Sequence, residues 1–392
     1  MPQAPAVLTA RRLYDGSRLH DHPIVVLDGG RIASISTRDS SAVPAGAPIL
    51  DFPEATLAPS FFDIHIHGAA GHDVMEATPE ALAAIGTFLA SRGTARFLST
   101  TVTAPIDVTL RAVAGLARLI ARQGNQAAPT AAVPLGIHLE GPFLSHAKRG
   151  VQPAKYLLDP DIALFDRIYD AADGHVRLIT LAPELPGAPQ LAAHAAACGV
   201  RVSLGHSNAT AAETHAAIAA GATSATHTFN AMRPLDHREP GILGAVLTCD
   251  SLFAELICDG IHSAPEIARL WWRAKGPNRA ILVTDAMSAA GMPDGEYRLG
   301  GLTVQVANGR AMCDGVLAGS VLTLDRALQN FLAFTGATLE QGLRLLTGNP
   351  AALTGFQAEA GSLAPGSPAN LVAVTPDGHL AASFLNGVPV PA

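Results

Sequence analysis

Two histidines one residue apart, His65 and His67, are the first residues along this chain with evident chemistry. In Phe61-Phe62-Asp63-Ile64-His65-Ile66-His67-Gly68 they fall on one side of an extended strand, because side chains alternate there with period two. Neutral imidazole is the commonest nitrogen ligand for zinc and similar divalent metals. Taken alone, a His-x-His pair fits a structural role as well as it fits a metal site. Its weight comes from the polar residues spaced along the rest of the chain. Glu140 stands in His138-Leu139-Glu140-Gly141-Pro142, His206 comes after Ser203-Leu204-Gly205, and His227 after Thr226. Asp259 and His262 share Asp259-Gly260-Ile261-His262, and Asp285 stands in Val283-Thr284-Asp285-Ala286-Met287. An open metal site needs about three protein ligands plus water. Glu140, His206 and His227 supply that set, and His65 with His67 supply nitrogens for a second metal. Asp285 is a carboxylate suited to taking the proton of an attacking water and passing it to a leaving amine. Its plain alternative is a helix N-cap or an ion pair. His138, two residues before Glu140, reads as a packed, hydrogen-bonded histidine rather than a ligand.

Other polar residues look outward to a substrate. Asn230-Ala231-Met232, after the His227 turn, offers backbone N–H groups to an anion, as turns and helix N-termini do. Arg238, in His237-Arg238-Glu239-Pro240-Gly241, suits bidentate phosphate binding. From spacing alone it fits a solvated surface charge equally well.

The proposed metal and proton-transfer residues stand at the ends of short apolar runs, and the runs are the elements that must position them. Candidate strands are Thr56 to Ile64, Arg96 to Thr100, Val133 to Leu139, Val176 to Leu181, Val200 to Leu204, Thr223 to Thr226, Phe253 to Ile257 and Ala280 to Val283. Ala-rich segments of helical periodicity lie between them, such as Pro79 to Arg92 and Asn208 to Ala220, with Asn208 as a possible cap. Repeated strand–helix units predict an α/β fold, a (β/α)8 TIM-like barrel, whose active site lies at the C-terminal strand ends. The residues there read His65 and His67, Thr100-Thr101, Glu140, Ala182-Pro183-Glu184, His206, His227, Asp259 with His262, and Asp285. The chain ends differ from the middle. Ile24 to Leu27, the turn Asp28-Gly29-Gly30 and Arg31 to Ile35 read as a hairpin. Asn370 to Val374, the turn Pro376 to Gly378 and Ser383 to Gly387 read as a second. The expected organisation is a small β-sandwich domain from residues 1–56 and 351–392, with a catalytic barrel at 57–350 between them.

Composition narrows the alternatives. The chain has 392 residues, 48% hydrophobic and 15% charged, which fits a large core of buried parallel strands. No run of about 18 uncharged apolar residues occurs, so no spanning helix and no membrane partner is expected. The net charge of −7 gives no basic footprint for nucleic acid. Met1 to Tyr14 carries Arg11 and Arg12 without a following apolar segment, so a secretory leader is not expected. Cys198, Cys249, Cys258 and Cys313 lie far apart with no CxxC spacing and read as reduced, buried thiols of a cytoplasmic protein.

In order along the chain, Phe61 to Gly68, His138 to Leu144, Leu204 to Ser207, His227 to Met232, Arg238 to Gly241, Asp259 to His262 and Val283 to Met287 resemble the N-acetylglucosamine-6-phosphate deacetylase family of amidohydrolases. The resemblance runs from about Leu57 to Pro350, and the β-rich ends fit the family's small sheet domain. As an ordered set these motifs are highly specific, whereas the His-x-His alone marks only the superfamily. The resemblance implies hydrolysis of the acetamido group of an N-acetyl amino sugar 6-phosphate to acetate and the free amino sugar. It implies that Glu140, His206 and His227 hold the principal metal, expected to be Zn2+, and that Asp285 is general base and then acid. Asn230, Ala231, Arg238 and His262 would contact the sugar phosphate, His262 also stabilising the oxyanion, with Arg238 reaching across a homodimer interface. Members differ at the His-x-His, so one or two metals per subunit stay open.

There is one departure. After Lys148-Arg149-Gly150 the family places a histidine two residues on, expected to touch the sugar; here Val151-Gln152-Pro153 puts Gln152 there. Glutamine offers a donor and an acceptor, as neutral histidine does, but cannot become cationic. Gln152 is therefore expected to alter preference among sugars, not the metal chemistry. Two rivals remain: another amidohydrolase acting on a cyclic amide or nucleobase, and a non-catalytic sugar-phosphate sensor. An uncharged substrate would leave the Asn230-Ala231-Met232 turn and Arg238 without a purpose, and every matched catalytic position is filled.

Overall fold

The computed structural model describes residues 6–40, 46–123 and 131–391; of the Met1 to Tyr14 stretch, residues 1–5 lie outside the described residues. Eight parallel strands form one sheet in sequential order: β1 (Phe61–Ile66), β2 (Thr94–Thr101), β3 (Val133–Glu140), β4 (Val176–Leu181), β5 (Arg201–Leu204), β6 (Ala222–Ala225), β7 (Phe253–Ile257) and β8 (Ala280–Val283). A parallel bridge between Ile66 and Ala286 brings the two edges together, nearly closing the barrel. Backbone bonds from Asp285 N to His65 O (2.8 Å) and from His67 N to Ala286 O (2.8 Å) continue that seam. The buried carboxyl of Asp63, pushed up to about 7 by burial, accepts from Thr284 Oγ1 at 2.6 Å and ties β1 to the segment after β8. The strands are apolar runs because both of their faces are covered.

Helices supply the outer cover, and local chemistry starts them. Thr78 caps Pro79–Ser91, accepting from Ala81 N at 3.2 Å, and Leu82, Ile85, Gly86 and Leu89 form its buried stripe. The helix after β5 is Ala211–Ala219, capped by Thr210 in a reciprocal box with Glu213 rather than by Asn208. Asn208 N instead donates to Glu184 Oε1 at 2.6 Å, so its loop is fixed from β4. Among the described residues, no helix is long and apolar enough to cross a membrane.

Both chain ends build one eight-stranded sheet. Its order is Val388–Pro389, Leu380–Leu385, Leu371–Val374, Ile49–Pro59, Ala6–Tyr14, Pro23–Asp28 and Arg31–Thr37, with Leu19–Asp21 paired to Ala6–Tyr14. Leu8, Leu13, Val25, Ile32, Leu57, Leu371 and Phe384 form its core. One expected strand is divided here. Thr56 to Pro59 belong to this end sheet, and the barrel's first strand begins at Phe61. The break falls at Pro59-Ser60, a local breaker inside an otherwise apolar run, and there the hydrogen-bonding partner changes.

A further antiparallel sheet was not anticipated. Gly295–Leu299, Leu302–Ala307, Arg310–Cys313 and Val316–Leu317 come after β8 as a meander, turning at Asn308-Gly309 and Asp314-Gly315. All four turn residues have positive φ, as tight hairpin turns of this kind require. Of the cysteines, Cys258 is buried, while Cys198, Cys249 and Cys313 are part-exposed free thiols, so the expectation of uniformly buried thiols is corrected.

Candidate metal centre and active site

The C-terminal strand ends converge as barrel geometry requires. Glu140 is the last residue of β3, and Gly141 comes next with φ +88°; a Cβ there would collide with the Thr103 side chain. His206, His227, Ala231 and Asp285 all have positive φ, an uncommon backbone for residues with side chains. Such conformations persist only where the surrounding structure imposes them, and they cluster at functional sites.

One triangle of donors is tight. Glu140 Oε1 lies 3.1 Å from both His206 Nε2 and His227 Nε2, and those nitrogens are 3.1 Å apart. Ligands about 2.0–2.1 Å from a tetrahedral ion stand about 3.3 Å from one another, so this triangle has the size of one ion's coordination face. A second group adjoins it. His67 Nε2 is 3.1 Å from Asp285 Oδ1, and His65 Nε2 lies 3.5 Å from Glu140 Oε1 and 3.6 Å from Asp285 Oδ1. Each group, Glu140/His206/His227 and His65/His67/Asp285, gathers its donor atoms within 4.8 Å and is buried.

Hydrogen bonds behind the rings settle which nitrogen is offered. His67 Nδ1 donates to Thr100 O at 3.0 Å and His206 Nδ1 to Lys148 O at 3.1 Å; carbonyls only accept, so Nε2 carries the free lone pair. His65 Nδ1 meets Glu255 Oε2 at 3.1 Å, and its Nε2 has no hydrogen-bond partner among the described residues. A buried nitrogen left unpaired in this way, aimed between two carboxylates, is what a divalent cation would satisfy. The residues present therefore fit one or two divalent ions.

Electrostatics agree. Burial raises the Glu140 carboxyl, but the His206 and His65 imidazoles hold it well below its ordinary value. Burial likewise opposes ionisation of Asp285, and His65 and His67 hold it below the usual carboxylate value. His138 sits deeper, with Nε2 2.8 Å from Thr180 Oγ1; burial, with His65 as the next cause, pushes it well below its ordinary value. It is a packed, neutral histidine.

A cavity of about 150 Å³ opens over these groups, lined by His67, Glu140, His206, His227, Asp285 and the residues that reach in from the loops. Those include Asn230, Ala231 and His262, together with Leu299, Val316 and Leu317 from the unanticipated sheet. His262 Nδ1 is held by Asp259 Oδ2 at 2.6 Å; burial lowers its pKa, but Asp259 raises it above the ordinary value. Gln152 also lines the cavity and is buried, yet its amide is already engaged: Oε1 accepts from Thr103 N at 2.9 Å and Nε2 donates to Glu140 Oε2 at 2.8 Å. Arg238 does not line this cavity; it is exposed, and its backbone N donates to Asp236 Oδ1 at 2.8 Å. Glu184 supports rather than lines the site, accepting from Ser207 Oγ at 2.8 Å.

Sequence reasoning missed Glu255. This fully buried carboxylate on β7 accepts from His65 Nδ1 and from His227 N, both at 3.1 Å, so one oxygen steadies a member of each donor group. The signal for it was a lone acid inside the apolar run Phe253-Ala254-Glu255-Leu256-Ile257. A third group, Asp166, His194 and Cys198, is part-exposed in the helical layer rather than at the strand ends.

The amidohydrolase family model matches residues 56–390. The chain is 38% identical over 383 residues to an N-acetylgalactosamine-6-phosphate deacetylase of Escherichia coli O157:H7, covering 97% of this chain and 98% of that one. It is 35% identical over 364 residues to an N-acetylglucosamine-6-phosphate deacetylase of Bacillus subtilis strain 168, covering 93% and 91%. In structure it is similar, with a TM-score of 0.91, 36% identity and full coverage of both chains, to a mutant N-acetyl-D-glucosamine-6-phosphate deacetylase from Mycobacterium smegmatis in complex with N-acetyl-D-glucosamine-6-phosphate.

Proposed function

This chain belongs to the amidohydrolase family, and from that premise we propose that it hydrolyses the acetamido bond of N-acetylglucosamine 6-phosphate or its galacto epimer, releasing acetate and the amino sugar 6-phosphate. The observation that carries the reading is the buried convergence of the Glu140/His206/His227 and His65/His67/Asp285 groups under one small cavity.

Glu140, His206 and His227 would hold the principal divalent ion, with His65 and His67 available to a second. Imidazole nitrogens and carboxylates without thiolate, in a three-ligand set open to the cavity, suit Zn2+. Such an ion supplies Lewis-acid polarisation of the amide carbonyl and a more acidic water. Asp285, ionised beside His65 and His67, is placed to take that water's proton and later return it to the departing amine. His262, fixed through Nδ1 by Asp259, has its other nitrogen for the carbonyl oxygen as negative charge grows there. Asn230 and Ala231 border the cavity and are assigned to the sugar phosphate. The exposed Arg238 is assigned to the phosphate of a neighbouring subunit in a homodimer.

The test is acetate release by metal-loaded protein from both N-acetyl hexosamine 6-phosphates and from unphosphorylated N-acetylglucosamine. Turnover confined to the phosphorylated sugars is expected. Fully loaded protein that frees no acetate from either phosphate would sink the proposal.

A further inference from the structure

We infer that Gln152 is a positioning residue for the Glu140 carboxylate, not a contact for the sugar. The inference rests on the reading of Glu140 as a ligand of the principal metal.

The orientation of the Gln152 amide is forced. Thr103 N can only donate, so the group 2.9 Å from it must be the amide oxygen. The amide nitrogen is thereby turned to Glu140 Oε2, at 2.8 Å. Rotating the amide by half a turn would set N–H against N–H at Thr103 and oxygen against carboxylate at Glu140. The backbone is held as well: Gln152 N donates to Arg149 O at 3.0 Å, and Arg149 Nη1 donates to Gln152 O at 3.0 Å. With its oxygen and one N–H spent, the side chain keeps little for a hydroxyl group.

The consequence falls on Glu140. Its Oε1 faces His206 and His227, while Oε2 takes the Gln152 hydrogen bond and lies 3.4 Å from His67 Nε2. The amide therefore fixes which oxygen meets the two histidines, and it does so without a charge that would compete with a cation. Groups that orient a ligand from behind in this way typically contribute 10–100-fold to metal affinity.

Gln152→Met tests this, because it keeps the length of the side chain and removes both hydrogen bonds. Metal-free full-length protein is titrated with Zn2+ against a chelator, and the absorption spectrum of the Co2+ form is recorded. The expected result is about 10–100-fold weaker Zn2+ binding and a changed Co2+ spectrum, with the ratio of kcat/KM between the two epimeric sugar phosphates unchanged. A lowered Tm with wild-type affinity and spectrum would reduce Gln152 to loop packing, and a shifted kcat/KM ratio at wild-type affinity would make it a sugar contact; either overturns the inference. Glu140→Gln separates the two levels. If it loses Zn2+ while Gln152→Met does not, only the role of Gln152 fails. If it keeps wild-type affinity, the ligand assignment fails and takes the inference with it.

Discussion

Replacing Asp285 by asparagine separates the two roles its position allows. The backbone there is left-handed, with φ +51°, pinned by Asp285 N to His65 O at 2.8 Å and Ser320 N to Asp285 O at 2.7 Å. Asparagine tolerates that conformation about as well as aspartate, so the fold should not change. What disappears is a proton acceptor. A positioned general base contributes roughly 10²–10⁴-fold, equivalent to about 3–5 kcal/mol of barrier. Because the same carboxylate is assigned both the first proton transfer and its return to the amine, the loss should lie at the upper end. It should fall on kcat, with KM little changed, since the ground-state sugar phosphate is held by other residues. The assay is acetate release with metal content and Tm measured on the same sample, and turnover expressed per bound metal. A variant that holds full metal and turns over within about tenfold of wild type would refute the assignment as base. Turnover lost only in proportion to metal would make Asp285 a ligand, as its place beside His65 and His67 allows.

Three other outcomes rest on the same geometry. His206→Ala and His227→Ala should each release the principal metal and abolish activity, whereas His65→Ala should remove only a second ion; metal stoichiometry decides, and a His206 variant with full occupancy would contradict the ligand set. Burial opposes charge on His65, but Asp285, Glu140 and Glu255 raise it to about 9, so the metal-free protein should gain stability from protonated His65 below about pH 6.5 and lose it as pH rises through about 9. Loading Zn2+ at pH 7 should then release protons, read by calorimetry in buffers of different ionisation enthalpy, and a buffer-independent heat would count against a protonated site. If Arg238 serves a neighbouring subunit, Arg238→Ala and Asp285→Asn should each be nearly inactive, yet their mixed dimers should regain activity through one intact site; re-association without recovery would argue against a shared site.

Much of the site was legible because barrel chemistry is written locally. A polar residue that ends an apolar run lands at a strand's C-terminal end, so Glu140, His206, His227 and Asp285 announced themselves without any knowledge of their neighbours. The Asn308-Gly309 and Asp314-Gly315 turns of the sheet after β8 were equally local signals, and their sheet was still missed. Its contribution of Leu299, Val316 and Leu317 to the cavity depends on where β8 delivers it.

What the sequence determined by itself is therefore the strand–helix alternation, the sheet-forming ends and the donor types at the rim, because each rests on residues near one another in the chain. Only the tertiary structure decided that Thr56 to Pro59 pair with the end sheet while Phe61 begins the barrel. It also decided that Glu255 faces His65 across 190 positions of sequence, and that Arg238 does not line the cavity. Gln152 shows the reason most plainly. Its composition as an amide fits a sugar contact and a ligand support equally well. The choice was made by Thr103 N, 49 positions away, because a donor at that point leaves the amide one orientation and turns its N–H toward Glu140.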